Sequence, residues 1–138
     1  MVKVKDDGLF PASRDKVWEL IQAHQTDAQT IHPRIKSAKQ LTENTREMVW
    51  DMGGQSVKVV AKFIPSPPNQ LTIDFLEGPM TGKMINTYTE VQGGTKVVTE
   101  CDMQSKFMDE KQLEGAVRQF LIDGFDDDVR YLTTKMKK

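Results

Sequence analysis

The side chains able to do acid–base, nucleophilic or metal chemistry are few and scattered. The only two histidines, His24 and His32, have no thiol or carboxylate at the local spacings that mark a zinc site, so neither a metal nor a cofactor is expected. The single cysteine, Cys101, falls mid-strand on the apolar side of an alternating run, with no helix N-terminus or base nearby, and reads as an inert buried thiol. Alone, it excludes an internal disulfide or a multi-thiolate zinc site and fits a reducing, cytoplasmic compartment. Glu100 and Asp102 share a strand face with Lys96 and read as a wet outer surface rather than an acid and base pair. No Ser-His-Asp set and no phosphate-binding loop is present. Catalysis therefore has no independent support.

Three further residues invite a functional reading. Gly124 interrupts a long helical pattern, where glycine costs about 1 kcal/mol relative to alanine, so its missing side chain either leaves room for a ligand or lets a strand approach. Asp128 borders an apolar stripe; beside Asp126, Asp127 and Arg130 it reads as part of a solvated face with Asp126 and Arg130 paired, the other reading being a polar handle in a cavity. Tyr88 shares a strand face with Met84 and Asn86, but Ile85, Thr87, Thr89 and Val91 make an equally plausible inner face.

The elements that must position these groups follow from periodicity. Val2 to Phe10 reads as an edge strand ended by Gly8 and Pro11. Ser13 can cap a helix carrying Val17, Leu20, Ile21 and His24 at helical spacing, and Thr26 or Asp27 a second short helix that Pro33 ends. From Ile35 to Phe107 six strands are separated by Asn44-Thr45, Gly53-Gly54, Pro67-Pro68-Asn69, the Gly78 to Gly82 loop and Gly93-Gly94. Loops this short force antiparallel pairing. Residues 109 to 136 form a long helix with Leu113, Val117, Phe120, Leu121, Gly124, Phe125, Val129 and Leu132 on one side, of which Val117, Phe120 and Leu121 should be buried on the sheet. The order gives an α+β architecture: a seven-stranded antiparallel sheet, two short helices after strand 1, and one long C-terminal helix across the apolar face.

The 138 residues suit a single domain over 1–138 with one sizeable core. With 19 basic and 20 acidic residues the net charge is -1, which offers no field to gather nucleic acid. Neither a secretion signal nor a membrane-spanning apolar run appears. Oligomeric state is not encoded in any visible pattern.

Local motifs add a resemblance over nearly the whole chain. Phe10-Pro11-Ala12-Ser13 leading to Val17-Trp18, His32-Pro33-Arg34-Ile35 entering the second strand, Gly78-Pro79 with Gly82, and Gly94-Thr95-Lys96-Val97 resemble, in order and spacing, the START and polyketide-cyclase superfamily. This is the helix-grip fold, shared with the birch-pollen-allergen family. The resemblance implies a curved sheet gripping the C-terminal helix around an elongated apolar cavity used for lipids, sterols, quinones or polyketides. A curved sheet cannot touch a straight helix along its whole length, so physics asks for the same gap. Its expected walls are Val59, Phe63, Ile73, Phe75, Cys101 and Met103 from the sheet and Phe120 and Gly124 from the helix, with Tyr88 as polar contact. The expected partner is a small apolar molecule, for which the resemblance implies binding, with transport as a further use. The alternatives are a cyclase or dehydratase acting on an apolar substrate and an interaction module like the Hsp90-activator relatives.

Overall fold

The computed structural model describes residues 1–136. Strand β1 (Val2–Phe10) leads through the N-cap Ser13, whose side chain accepts from the Lys16 amide, into helix α1 (Arg14–Ile31). The expected two short helices are both present, joined without a loop across a kink at Asp27, whose φ of -134° and ψ of 26° leave helical geometry. The break falls at the predicted second cap, because Asp side chains stabilise non-helical backbone as readily as helix. Extended His32 ends the helix ahead of Pro33.

Strands β2 (Ile35–Gln40), β3 (Thr45–Met52), β4 (Gln55–Ser66), β5 (Gln70–Glu77), β6 (Thr81–Val91) and β7 (Gly94–Gln104) form an antiparallel meander. β1 closes on β7, giving the order β1-β7-β6-β5-β4-β3-β2 and the seven strands expected. α1 thus carries the chain from one edge of the sheet to the other. Alternation holds along β7, where Val97, Cys101 and Met103 are buried. In β4 a register shift between Val60 and Ala61 interrupts it, so Val59, Val60 and Ala61 are buried consecutively.

Helix α2 (Glu110–Thr134) starts in a capping box in which Asp109 and Gln112 satisfy each other's backbone amides. It lies nearest β1, β7 and α1. Where it crosses β1, a Cβ on Gly8 would stand 2.8 Å from the Phe125 ring, so the bare glycine backbone lets that ring seat. Val117 is buried as expected, together with Leu113 and Leu132. Phe120 and Leu121, expected to be buried, are only half-buried, because the helix stands off the middle of the sheet there.

Buried apolar side chains form two clusters. One gathers Val4, Val59, Cys101, Met103, Leu113 and Val117 under the first half of α2. The other joins Phe10, Val17, Leu20, Tyr88, Val97 and Leu132 around α1 and the end of α2. No described helix is long and apolar enough to cross a membrane.

Candidate functional site

A cavity of about 860 Å³ lies between the sheet and the two helices. Six of the nine expected wall residues line it: Phe63, Ile73, Phe75, Tyr88, Phe120 and Gly124. The other three, Val59, Cys101 and Met103, do not; they belong to the solid cluster with Leu113 and Val117. Period two assigned them to the correct face, but position along the strand decides between void and core, and periodicity carries no such information. The open question on β6 resolves toward Met84, Asn86 and Tyr88, which face the cavity. A Cβ on Gly124 would meet nothing within 4 Å, so this glycine borders open space and not a closely approaching strand.

The aromatic wall is mutually braced. Phe120 sits 5.8 Å from Phe75 in an edge-on arrangement and 5.7 Å from Trp50. Tyr88 is buried against Trp18, and desolvation, with the charge of Asp128 adding to it, raises its pKa so that the phenol stays protonated. Burial likewise pushes the Cys101 thiol up to about 12, in agreement with an inert thiol.

Two buried polar side chains on the wall lack ordinary partners. Trp50 is 6% exposed, and its indole N–H has no hydrogen-bond acceptor among the described residues. Arg46, also 6% exposed, donates to the His24 carbonyl at 2.6 Å and lies 4.1 Å over the Phe63 ring. Among the described residues no carboxylate stands within ion-pair distance of Arg46, and burial lowers its pKa. A buried guanidinium without a counter-charge is costly unless something anionic or strongly polar approaches it.

At the junction of α1 and α2 the wall becomes polar. His24 Nδ1 lies 2.8 Å from the Leu20 carbonyl, and its Nε2 lies 3.1 Å from both His32 Nε2 and Asp128 Oδ1. His32 Nδ1 faces Asp127 Oδ2 at 3.1 Å. Asp127 also accepts from Arg34 at 3.1 Å and pairs with Arg130 at 3.2 Å, while Arg34 reaches Asp123 at 2.9 Å. The solvated-face reading of Asp128 is therefore corrected: Arg130 pairs with Asp127 instead of Asp126, and Asp128 turns to the histidines on the cavity wall. Desolvation opposes charge on both rings. At His24 the hydrogen bond and charge of Asp128, with the Leu20 carbonyl, outweigh it and raise the pKa; at His32 burial wins and lowers it.

His24, His32, Asp128, Arg46 and Trp50 were not among the expected site residues. The histidines are eight positions apart along a broken helix, and Asp128 is 104 positions beyond His24. Only the packing of α2 on α1 brings them together. The available signal was that His24 and Asp128 each lie on or beside an apolar stripe, where a solvated polar group has no reason to be.

No protein-family model matches the chain, and the comparison with curated proteins gives no match. Solved structures are similar over almost the whole length. The Zhui aromatase/cyclase from Streptomyces sp. R1128 superposes with a TM-score of 0.84 at 14% identity, covering 99% of this chain and 96% of that one. A conserved protein from Geobacillus kaustophilus gives 0.82 at 12% identity, with 96% and 95% covered. Ara h 8.0201 gives 0.77 at 13% identity, with 96% and 98% covered. The fold is a helix grip shared with these structures, as the sequence resemblance implied. At these identities the likeness defines the fold; function has to be argued from the site.

Proposed function

We propose that this protein binds a small, largely apolar molecule in the cavity between the sheet and α2, with an oxygen-bearing or acidic end directed to Arg46 and Trp50. The observation that supports it is the cavity itself: about 860 Å³ in a chain of 138 residues, within the usual range for small-molecule sites. Phe63, Ile73, Phe75 and Phe120 supply apolar walls, and a void of this size left without an occupant forfeits the contacts that a close-packed interior would have. Arg46 and the unpaired Trp50 N–H are donors awaiting an acceptor, which favours an amphipathic ligand over a pure hydrocarbon. Exposed Gln25, Gln40 and Glu43 belong to the lining, so the cavity reaches the surface beside α1 and the β2–β3 turn.

The test is native mass spectrometry of the purified protein, followed by solvent extraction of whatever accompanies it. A bound lipid, quinone or polyketide-like compound, or saturable 1:1 uptake of a fatty acid after extraction, is the expected result. Failure of both would reject the reading. A cyclase-type activity draws on one observation, the convergence of His24, His32 and Asp128 on the same wall, and turnover of an extracted compound would favour it.

A further inference from the structure

The structure assigns His24, His32 and Asp128 as a divalent transition-metal site, with zinc as the best-matched ion and an open coordination position facing the cavity. The outer partners of the two rings fix where their protons lie. The Leu20 carbonyl can only accept, so the 2.8 Å contact places a hydrogen on His24 Nδ1. Asp127 already accepts from Arg34 and pairs with Arg130, so its 3.1 Å contact places a hydrogen on His32 Nδ1. Neutral rings fixed in this tautomer both present bare Nε2 lone pairs.

Those two lone pairs converge on each other at 3.1 Å and on Asp128 Oδ1 at 3.1 and 3.4 Å. Three acceptors in a triangle repel unless a positive centre lies among them. One proton on either nitrogen bridges one edge well and leaves the third acceptor facing a lone pair. A metal ion satisfies all three. The dimensions agree: nitrogen and oxygen ligands at about 2.0–2.1 Å from zinc stand about 3.3 Å apart in a tetrahedron, and about 3.0 Å apart on an octahedral face. The outer contacts also agree, since a metal-binding histidine donates its second nitrogen to a carbonyl or carboxylate, as His24 does to Leu20 and His32 to Asp127. Arg34 and Arg130 in turn hold Asp127 in place.

Three protein ligands leave at least one position for something else, as in reactive zinc centres, and all three residues line the cavity. With Arg46 as the neighbouring cation, the open position calls for an anionic oxygen: a carboxylate, an enolate, a phenolate or hydroxide. This last step, the identity of the occupant, rests on the binding function proposed above. The metal site stands without it.

The experiment uses tag-free protein, because the chain's two histidines are then its only imidazoles. After chelator treatment and dialysis, zinc is titrated against a competing chromophoric chelator, and cobalt(II) is added separately while visible absorption is recorded. One equivalent should bind, with the intense visible bands of a low-coordinate cobalt centre. His24→Gln and His32→Gln should each weaken zinc at least 100-fold, and Asp127→Asn, which touches no metal, about 10-fold. Far-UV circular dichroism and thermal melts check the fold of each variant, and the wild-type cobalt spectrum decides even if a variant does not fold. Absence of saturable uptake, or equal affinity in a folded His24→Gln/His32→Gln variant, would overturn the assignment and leave a proton-bridged network. Fatty-acid uptake measured with and without zinc separates the two claims. Uptake that ignores zinc leaves the cavity reading intact and rejects coordination of the ligand, whereas uptake absent in both states rejects the cavity reading alone.

Discussion

At the residue scale, the nine expected wall positions divide by what surrounds them. Phe63, Ile73 and Phe75 were legible because each lies in an alternating stretch, Phe63 beyond the register shift of β4, and the wall needs only the correct face. Cys101 obeys the same rule, yet it sits in solid core with Val117 and Leu113. A thiol whose pKa is pushed up to about 12 is uncharged at pH 8. Native protein should therefore resist an aromatic disulfide reagent at pH 8 and react fully after denaturation; rapid labelling of the native state would place Cys101 at an accessible wall. Burial of this thiol also makes stability depend on pH. Below an unfolded thiol pKa of about 8.5 the contribution to stability is complete, and it is lost as pH rises toward the folded value. Denaturant melts of Cys101→Ala between pH 8 and 11 should lose that part of the alkaline destabilisation. The polar wall was not legible for a different reason. His24, His32 and Asp128 form no local motif, and charge pairing in a run such as Asp126-Asp127-Asp128 depends on which side of α2 meets α1.

At the element scale, α2 does two jobs along its length. Its first half packs, with Leu113 and Val117 buried against Cys101 and Met103. Its middle spans a gap, with Phe120 half-buried and Gly124 open to space, before Phe125 and Leu132 pack again. Truncation should report the difference. Leu113→Ala is expected to cost about 2–5 kcal/mol by chemical denaturation, whereas Phe120→Ala should fall below the usual 3–5 kcal/mol because part of the ring already faces a void. Equal, large losses would mean that the gap is filled in solution. Asp109→Ala removes the side-chain acceptor of the capping box and should cost about 1 kcal/mol. Element order and hairpin positions were readable because Gly, Pro and Asn punctuate a period-two text. The two helical segments of α1 were readable because Thr26-Asp27 is cap-like and Pro33 must end the second; that they join across a kink and not a loop was not, since the cap looks the same in sequence either way.

At the scale of the whole molecule, α2 packs near both ends, through Leu113 and Val117 and through Phe125 and Leu132, and stands off the sheet between them; that separation creates the cavity. A bound ligand should then stabilise the protein by mass action, by about 2.7 kcal/mol at a hundredfold excess over Kd. The most direct test of this account is fluorescence titration with an apolar naphthalenesulfonate probe, comparing wild type with Gly124→Leu and following each by thermal denaturation. Because a side chain at Gly124 would enter open space, the variant should keep its melting temperature and bind the probe at least 10-fold more weakly. Unchanged probe binding together with a stability loss of about 1–3 kcal/mol, the signature of overpacking, would contradict the cavity and make Gly124 a packing residue.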